Sequence, residues 1–263
     1  AEGGWGSICT EVTDIHPTSD QSPYAEGRLW DDGDLPHVMA MTKAVHAHGA
    51  LAGIELAHLG LAFGNQDSRM APLAPSHRSI VLCEPIQARA MSLTDIRALR
   101  KWHRDAALRA KRAGFDIIYV YAAHNLSILQ QFLLPRYNTR SDQYGGSLEN
   151  RVRLLREVLE DTKEAVGDTC AVALRFGVDE LMGADGLRSE AEGRDIVEML
   201  AELPDLWDVN ISDWVNDSGT SRFFQEGFQE PYINFVKRVT SKPVVGVGRY
   251  TSPDTMVRLI KSG

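Results

Sequence analysis

Long apolar runs, an excess of basic charge and clustered cysteines are all missing from this sequence, and each absence removes a class of protein. No run of about 18 uncharged apolar residues occurs, so no segment reads as a transmembrane helix. The formal net charge is −8 and there is no basic stripe, which argues against a nucleic-acid partner. Cys9, Cys83 and Cys170 are odd in number, far apart and without metal-type spacing; they read as ordinary buried or surface thiols, and no metal site is expected. A reducing, cytoplasmic setting fits that usage. The opening residues, Ala1-Glu2-Gly3-Gly4-Trp5, carry neither an initiator methionine nor the basic-then-apolar pattern of a signal peptide.

What is present is alternation. With 263 residues, 43% of them apolar, the chain can bury the core of one sizeable α/β domain. Apolar, β-branched stretches at 6–12, 50–56, 115–121, 170–176, 207–211 and 243–249 predict strands. Helical spacing predicts helices between them. One opens at Asp34, with Val38, Met41, Ala44 and Val45 along its apolar face; another opens at Ser92, with Ile96, Leu99, Trp102, Ala106 and Ala110. Ser147 caps a third, and others cover 189–203, 231–239 and 253–260. Long segments at 57–93 and 122–146 interrupt the rhythm, and loops of that length are usually functional or carry structure of their own.

Regular βα repetition predicts a parallel sheet. Six strands fall short of a (β/α)8 TIM barrel, and the chain stops at Lys261-Ser262-Gly263, where another strand is due. The expectation is therefore an incomplete barrel, about strands two to seven, with residues 1–263 forming one partial domain of a longer protein. A doubly wound six-stranded sheet is the alternative.

Chemistry gathers at the predicted strand ends, where such folds assemble their sites. Glu55 sits near the end of one strand, either solvated or bonded to a ligand. Tyr121 and His124 follow the 115–121 strand. Arg175 lies inside Val-Ala-Leu-Arg-Phe, where burial costs several kcal/mol unless the charge is paired. Asp217 and Trp214 follow the 207–211 strand, and Gly246-Val247-Gly248-Arg249 ends another. Glycines there let backbone N–H groups approach a phosphate, although a tight turn explains them equally well. Tyr, His and Asp from separate segments could form a relay, or could be a core tyrosine, a loop histidine and a capping aspartate.

Tyr121-Ala122-Ala123-His124, Gln131-Phe132-Leu133-Leu134-Pro135-Arg136-Tyr137-Asn138 and Arg140-Ser141-Asp142-Gln143-Tyr144-Gly145-Gly146-Ser147-Leu148-Glu149-Asn150-Arg151 together are specific. They resemble the old yellow enzyme superfamily of FMN barrels, and within it the branch of trimethylamine, dimethylamine and histamine dehydrogenases. The resemblance runs over nearly the whole chain, through Arg175-Phe176-Gly177-Val178-Asp179 and Gly246-Val247-Gly248-Arg249-Tyr250.

The resemblance implies FMN at the C-terminal mouth of the barrel. It implies Arg175 at the flavin N1–O2 edge, Glu55 on the pyrimidine side, and Gly246, Gly248 and Arg249 at the phosphate. It further implies a Tyr121–His124–Asp217 triad, with Trp214 as one wall of an aromatic bowl that holds an alkylated ammonium by cation–π attraction. The implied reaction is oxidation of a small N-methylated or other amine, with two electrons passing from its C–H bond to flavin N5 and the iminium hydrolysed to an aldehyde. The sequence departs from the branch at Val12, where the trimethylamine enzyme has a tyrosine wall; Asp14 and His16 lie nearby. The branch's flavin-linking cysteine would precede residue 1, and its 4Fe-4S cluster would follow residue 263. An electron-transfer protein or NAD(P) is the expected redox partner, and a homodimer is compatible. The competing reading is an NAD(P)H-dependent flavin reductase of the enoate or 2,4-dienoyl-CoA type, which needs neither Asp217 nor a cation cage. A non-catalytic barrel is the third.

Overall fold

The computed structural model describes residues 1–22, 26–80 and 86–262, so the reading of Cys83 falls outside the described residues. The chain forms two compact units, one comprising residues 1–122 and 126–173, the other 123–125 and the chain from 174 on.

The first unit runs β1 (Ser7–Asp14), β2 (Gly27–Arg28), α1 (Leu35–His46), β3 (Leu51–Ala57), β4 (Leu73–Ala74), β5 (Arg78–Ser79), β6 (Gln87–Ala90), α2 (Leu93–Arg112), β7 (Ile117–Ala122), α3 (Ile128–Leu133) and α4 (Leu148–Val166). β1 pairs in parallel with β2 and β3, and β3 with β7. All six residues of β7 are buried, as its uncharged Ile-Ile-Tyr-Val-Tyr-Ala run requires. β4, β6 and β5 form a small separate sheet inside the long 57–93 segment, so that segment does carry structure of its own.

Helix starts follow local capping chemistry. Ser92 accepts from the Asp95 N–H while the Asp95 carboxylate accepts from the Ser92 N–H, a full capping box for α2. At α4, Ser147 accepts from the Asn150 N–H, and asparagine at that third position leaves the box half made. α1 departs from the sequence reading. Asp34 does not cap it; its carboxylate is taken by Arg28 Nε and the Trp30 N–H, both at 2.9 Å, and Asp31 caps the preceding 3-10 turn. The buried face of α1 is Leu35, Thr42 and Val45, and Ala44 is exposed. Thr42 belongs to that face because its hydroxyl donates to the Ala113 carbonyl at 2.6 Å.

β8 (Ala171–Asp179) begins in the first unit and continues into the second. There follow α5 (Glu192–Leu200), β9 (Leu206–Ile211), a π turn at Gly219–Phe223, α6 (Glu230–Ile233), α7 (Phe235–Val239), β10 (Val244–Gly246) and α8 (Pro253–Ser262). The strands lie in the order β8-β9-β10, with β9 and β10 parallel. The helix expected over 231–239 is broken into α6 and α7 at Asn234, and the strand expected through Arg249 stops at Gly246.

Within each unit the long strands lie side by side in chain order, β1-β3-β7 and β8-β9-β10. A doubly wound sheet needs a point where that order reverses. Only the two-residue β2, on the far side of β1, departs from chain order; the long strands show no reversal within either unit among the described residues, and that order is the one a barrel has.

Candidate active site

The site residues of the first unit are set by register. Val12 pairs with Glu55 and Glu55 with Tyr119, so these three share one row of one sheet face. A bulge between Cys9 and Val12 creates that register. Two residues further along, Asp14 pairs with Ala57, and Tyr121 takes the same step beyond Tyr119. Glu55 is 1% exposed, which removes the solvated alternative for its carboxylate. Tyr121 is buried, and its carbonyl accepts from the Ser127 hydroxyl.

Beyond Val12 the end of β1 opens into a buried polar cluster. The Asp14 carboxyl receives the Ser19 hydroxyl at 2.7 Å, and Ser19 Oγ in turn accepts the Leu59 N–H. Burial pushes Asp14 up to about 8, against the hydrogen bonds of Ser19 and Gln21, with Asp20 and Glu26 adding repulsion. Alongside runs a directional chain. The Gly60 N–H donates to His58 Nδ1, which places the His58 proton on Nε2, facing Thr18 Oγ1 at 2.8 Å. The Thr18 hydroxyl then donates to His16 Nδ1 at 2.9 Å, and the His16 ring stacks on Trp102 at 3.6 Å between centroids. Burial lowers His58 to about 3 and His16 to about 4, so both imidazoles are neutral.

In the second unit His124 follows β7 in sequence and is fixed by a bridge to Asp213, its carbonyl accepting the Trp214 N–H at 2.9 Å. Its backbone is left-handed, φ +58°, a conformation that costs a non-glycine residue energy and that the Asp213–Trp214 contacts hold in place. Asp217 Oδ1 stands 3.8 Å from His124 Nε2, and the Trp214 ring meets the imidazole edge-on at 6.3 Å. Burial and then the positive charge of Arg175 lower His124 to about 3. At neutral pH the pair is therefore a neutral imidazole beside a carboxylate, not an ion pair. Trp214 is half exposed.

β9 alternates. The Trp207 indole packs against Phe176 and donates to the Ala201 carbonyl, so Trp207, Val209 and Ile211 form the helix-facing side. Asp208 and Asn210 occupy the opposite face, where Asp208 Oδ2 lies 3.8 Å from Arg175 Nε. Burial raises the Asp208 carboxyl and Arg175 opposes that rise. At the end of β10, a Cβ on Gly246 would stand 2.8 Å from Ile233 Cδ1, the movable tip of that side chain. Gly248 is buried and its carbonyl accepts the Gly227 N–H. Arg249 is exposed, left-handed, and donates to the Phe224 carbonyl at 3.0 Å.

The structure thus brings together Val12 with Glu55 in one unit, and His124 with Asp217, Trp214 and Arg175 in the other. Asp208 and Asn210 join the site without having been among the sequence candidates. Their signal was the two-residue polar alternation inside Trp207-Asp208-Val209-Asn210-Ile211. Among the described residues no group of His, Cys, Asp and Glu could hold a metal ion.

Long parallel strands in chain order within each unit, with charged and aromatic residues near their C-terminal ends, are the pattern of an α/β barrel. The profile of the NADH:flavin oxidoreductase / NADH oxidase family matches residues 1–263, and the chain belongs to that family. A dimethylamine dehydrogenase from Hyphomicrobium sp. (strain x) is 40% identical over 272 residues, covering 100% of this chain and 37% of the relative. The solved 6-hydroxypseudooxynicotine amine oxidase of Pseudomonas geniculata N1 superposes with a TM-score of 0.97 at 57% identity, over 100% of this chain and 39% of that one. Histamine dehydrogenase from Rhizobium sp. 4-9 gives 0.95 at 51%, over 100% and 38%. The chain therefore spans under two fifths of the length of these relatives. The fold is an incomplete (β/α)8 barrel of the old yellow enzyme type.

Proposed function

We propose that this chain is the FMN-binding part of an amine dehydrogenase. The observation that carries the reading is the neutral His124 flanked by Asp217 and by the edge of Trp214, whose exposed indole suits a substrate cation. The residues fit FMN. Arg175 lies on the face of β8 toward Asp208, and β9 offers on that face a buried carboxamide, that of Asn210, whose two ends have no hydrogen-bond partner among the described residues.

FMN, when bound, takes up the two electrons of an amine C–H bond, and water hydrolyses the resulting iminium to an aldehyde and a shorter amine. The residues supply everything around that transfer. Trp214 binds the alkylated nitrogen. His124, kept neutral by burial and by Arg175, can accept a proton, and Asp217 steadies the charge that then forms. Tyr121, three residues earlier in the chain, supplies a phenol to the same reaction. Arg175 would favour negative charge in the reduced ring, Glu55 would bond its pyrimidine side, and Gly246, Gly248 and Arg249 would take the phosphate. Val12 leaves more room than an aromatic wall would, which favours a larger or more polar amine than trimethylamine. Electrons then leave to an electron-transfer protein or NAD(P).

Anaerobic titration of the full-length protein tests the reading. Flavin bleaching by an amine from a panel of methylated and imidazole-bearing amines, and not by NADH, is expected. Bleaching by NADH alone would reassign the protein to the enoate-type reductases of the same family.

A further inference from the structure

Asn210 is 3% exposed, and neither its Oδ1 nor its Nδ2 has a hydrogen-bond partner among the described residues. A buried carboxamide with both ends unsatisfied is costly, and native proteins rarely leave one so. Its direction is fixed by the strand. Trp207, Val209 and Ile211 face the helices, so Asn210 shares the opposite face with Asp208, the residue beside Arg175. Its height is fixed by register. Val209 pairs with Gly246, the last residue of β10, so Asn210 lies one step beyond the last paired couple, level with the start of Val247-Gly248-Arg249. The strand order β8-β9-β10 therefore places Asn210 between Arg175 on one side and the glycine-rich end of β10 on the other.

We propose that Asn210 is a cofactor-positioning residue that holds the polyol chain of FMN, its carboxamide hydrogen-bonding the ribityl hydroxyls between ring and phosphate. This rests on the reading of Arg175 as the ring contact and of Gly246, Gly248 and Arg249 as the phosphate contact. A ligand joining those two ends must cross β9, and on that face, at that level, β9 offers Asn210. The chemistry matches. A carboxamide needs one donor and one acceptor, and a hydroxyl is both. A phosphate would satisfy Nδ2 and leave Oδ1 bare; an ammonium would do the reverse.

The test uses the full-length protein, produced flavin-free in a flavin-depleted host and titrated with three probes. These are FMN, FMN analogues each lacking one ribityl hydroxyl, and lumiflavin, which has the ring and no polyol chain. Binding is read from quenching of flavin fluorescence. For the parent protein, removal of one particular hydroxyl is expected to weaken binding about tenfold, equivalent to about 1.4 kcal/mol. Asn210→Leu is expected to weaken FMN by a similar factor, to leave lumiflavin unchanged, and to show no further loss when that hydroxyl is removed. The parent measurements stand even if the variant does not fold. Equal tightness for FMN and every deoxy analogue in the parent would overturn the assignment, Asn210 then bonding water. Equal loss of FMN and lumiflavin in the variant would move Asn210 to the ring and overturn it too. A parent that binds no flavin at all would refute the functional reading and this assignment together, whereas the other two outcomes refute this assignment alone.

Discussion

Asn in place of Asp14 separates burial from charge at the end of β1. The Asp14 carboxyl is 4% exposed and is pushed from the ordinary 3.8 to about 8. The folded protein therefore keeps a proton that the unfolded chain has already released above about pH 4. Stability from this group is complete below the unfolded value and is lost as pH rises through about 8, at about 1.4 kcal/mol per pH unit. The buried histidines work in the opposite sense. His16, His58, His103 and His124 titrate at about 3 to 4 when folded, so their contribution is complete above 6.5 and is lost only as pH falls. Between pH 6.5 and 8 Asp14 acts without them, and the protein should lose about 2 kcal/mol over that interval. Asp14→Asn keeps a group able to receive the Ser19 hydroxyl and has no proton to lose, so the Asp14 share of the slope should vanish there. Urea unfolding at closely spaced pH values measures both. A parent protein of constant stability from pH 6.5 to 8, or an equal slope in Asp14→Asn, would show that Asp14 is ionised when folded and refute the reasoning.

Three further outcomes are expected. Tyr121→Phe and Asp217→Asn should each slow flavin reduction by amine at least about tenfold in stopped flow while the FMN content stays that of the parent. Unchanged reduction would remove the residue from the proton path. Arg175→Gln should lower the flavin midpoint potential or reduce FMN retention, because an anionic reduced ring loses its positive neighbour; spectroelectrochemistry and flavin content measure the two. Gly60→Ala should cost about 2 kcal/mol or more in chemical denaturation, since φ is +59° and an added Cβ would collide with the Gln131 carboxamide.

The sequence carried the elements whose cause is local. Ser92 with Asp95 and Ser147 three residues ahead of Asn150 are capping patterns, and the uncharged run at Ile117–Ala122 can only be buried strand. What it hid was decided by partners distant in the chain. Asp34 looks like a cap, but Arg28 and the Trp30 N–H take its carboxylate. α3 escaped notice because all six of its residues are buried, leaving no polar face and hence no helical periodicity. At the site, unusual charges inside apolar strands were legible, as with Glu55 and Arg175. The Asp14 cluster and Asn210 were not, because each depends on which side of a strand the residue faces and on its register with neighbours.

The anchoring of His124 has a consequence for how the protein is made. Its strained backbone is held by Asp213 and Trp214, which follow it by about 90 residues. At roughly 5–20 residues per second of synthesis, His124 leaves the ribosome about 5–20 s before the residues that fix it. Most of the first unit can complete its strand pairs in that interval, while the 123–125 segment waits for a strand not yet translated. A ribosome paused shortly before residue 213 would thus carry a nascent chain with Tyr121 on a formed strand and His124 still without its support, and the proposed His124–Asp217 site would be among the last parts of this chain to take shape.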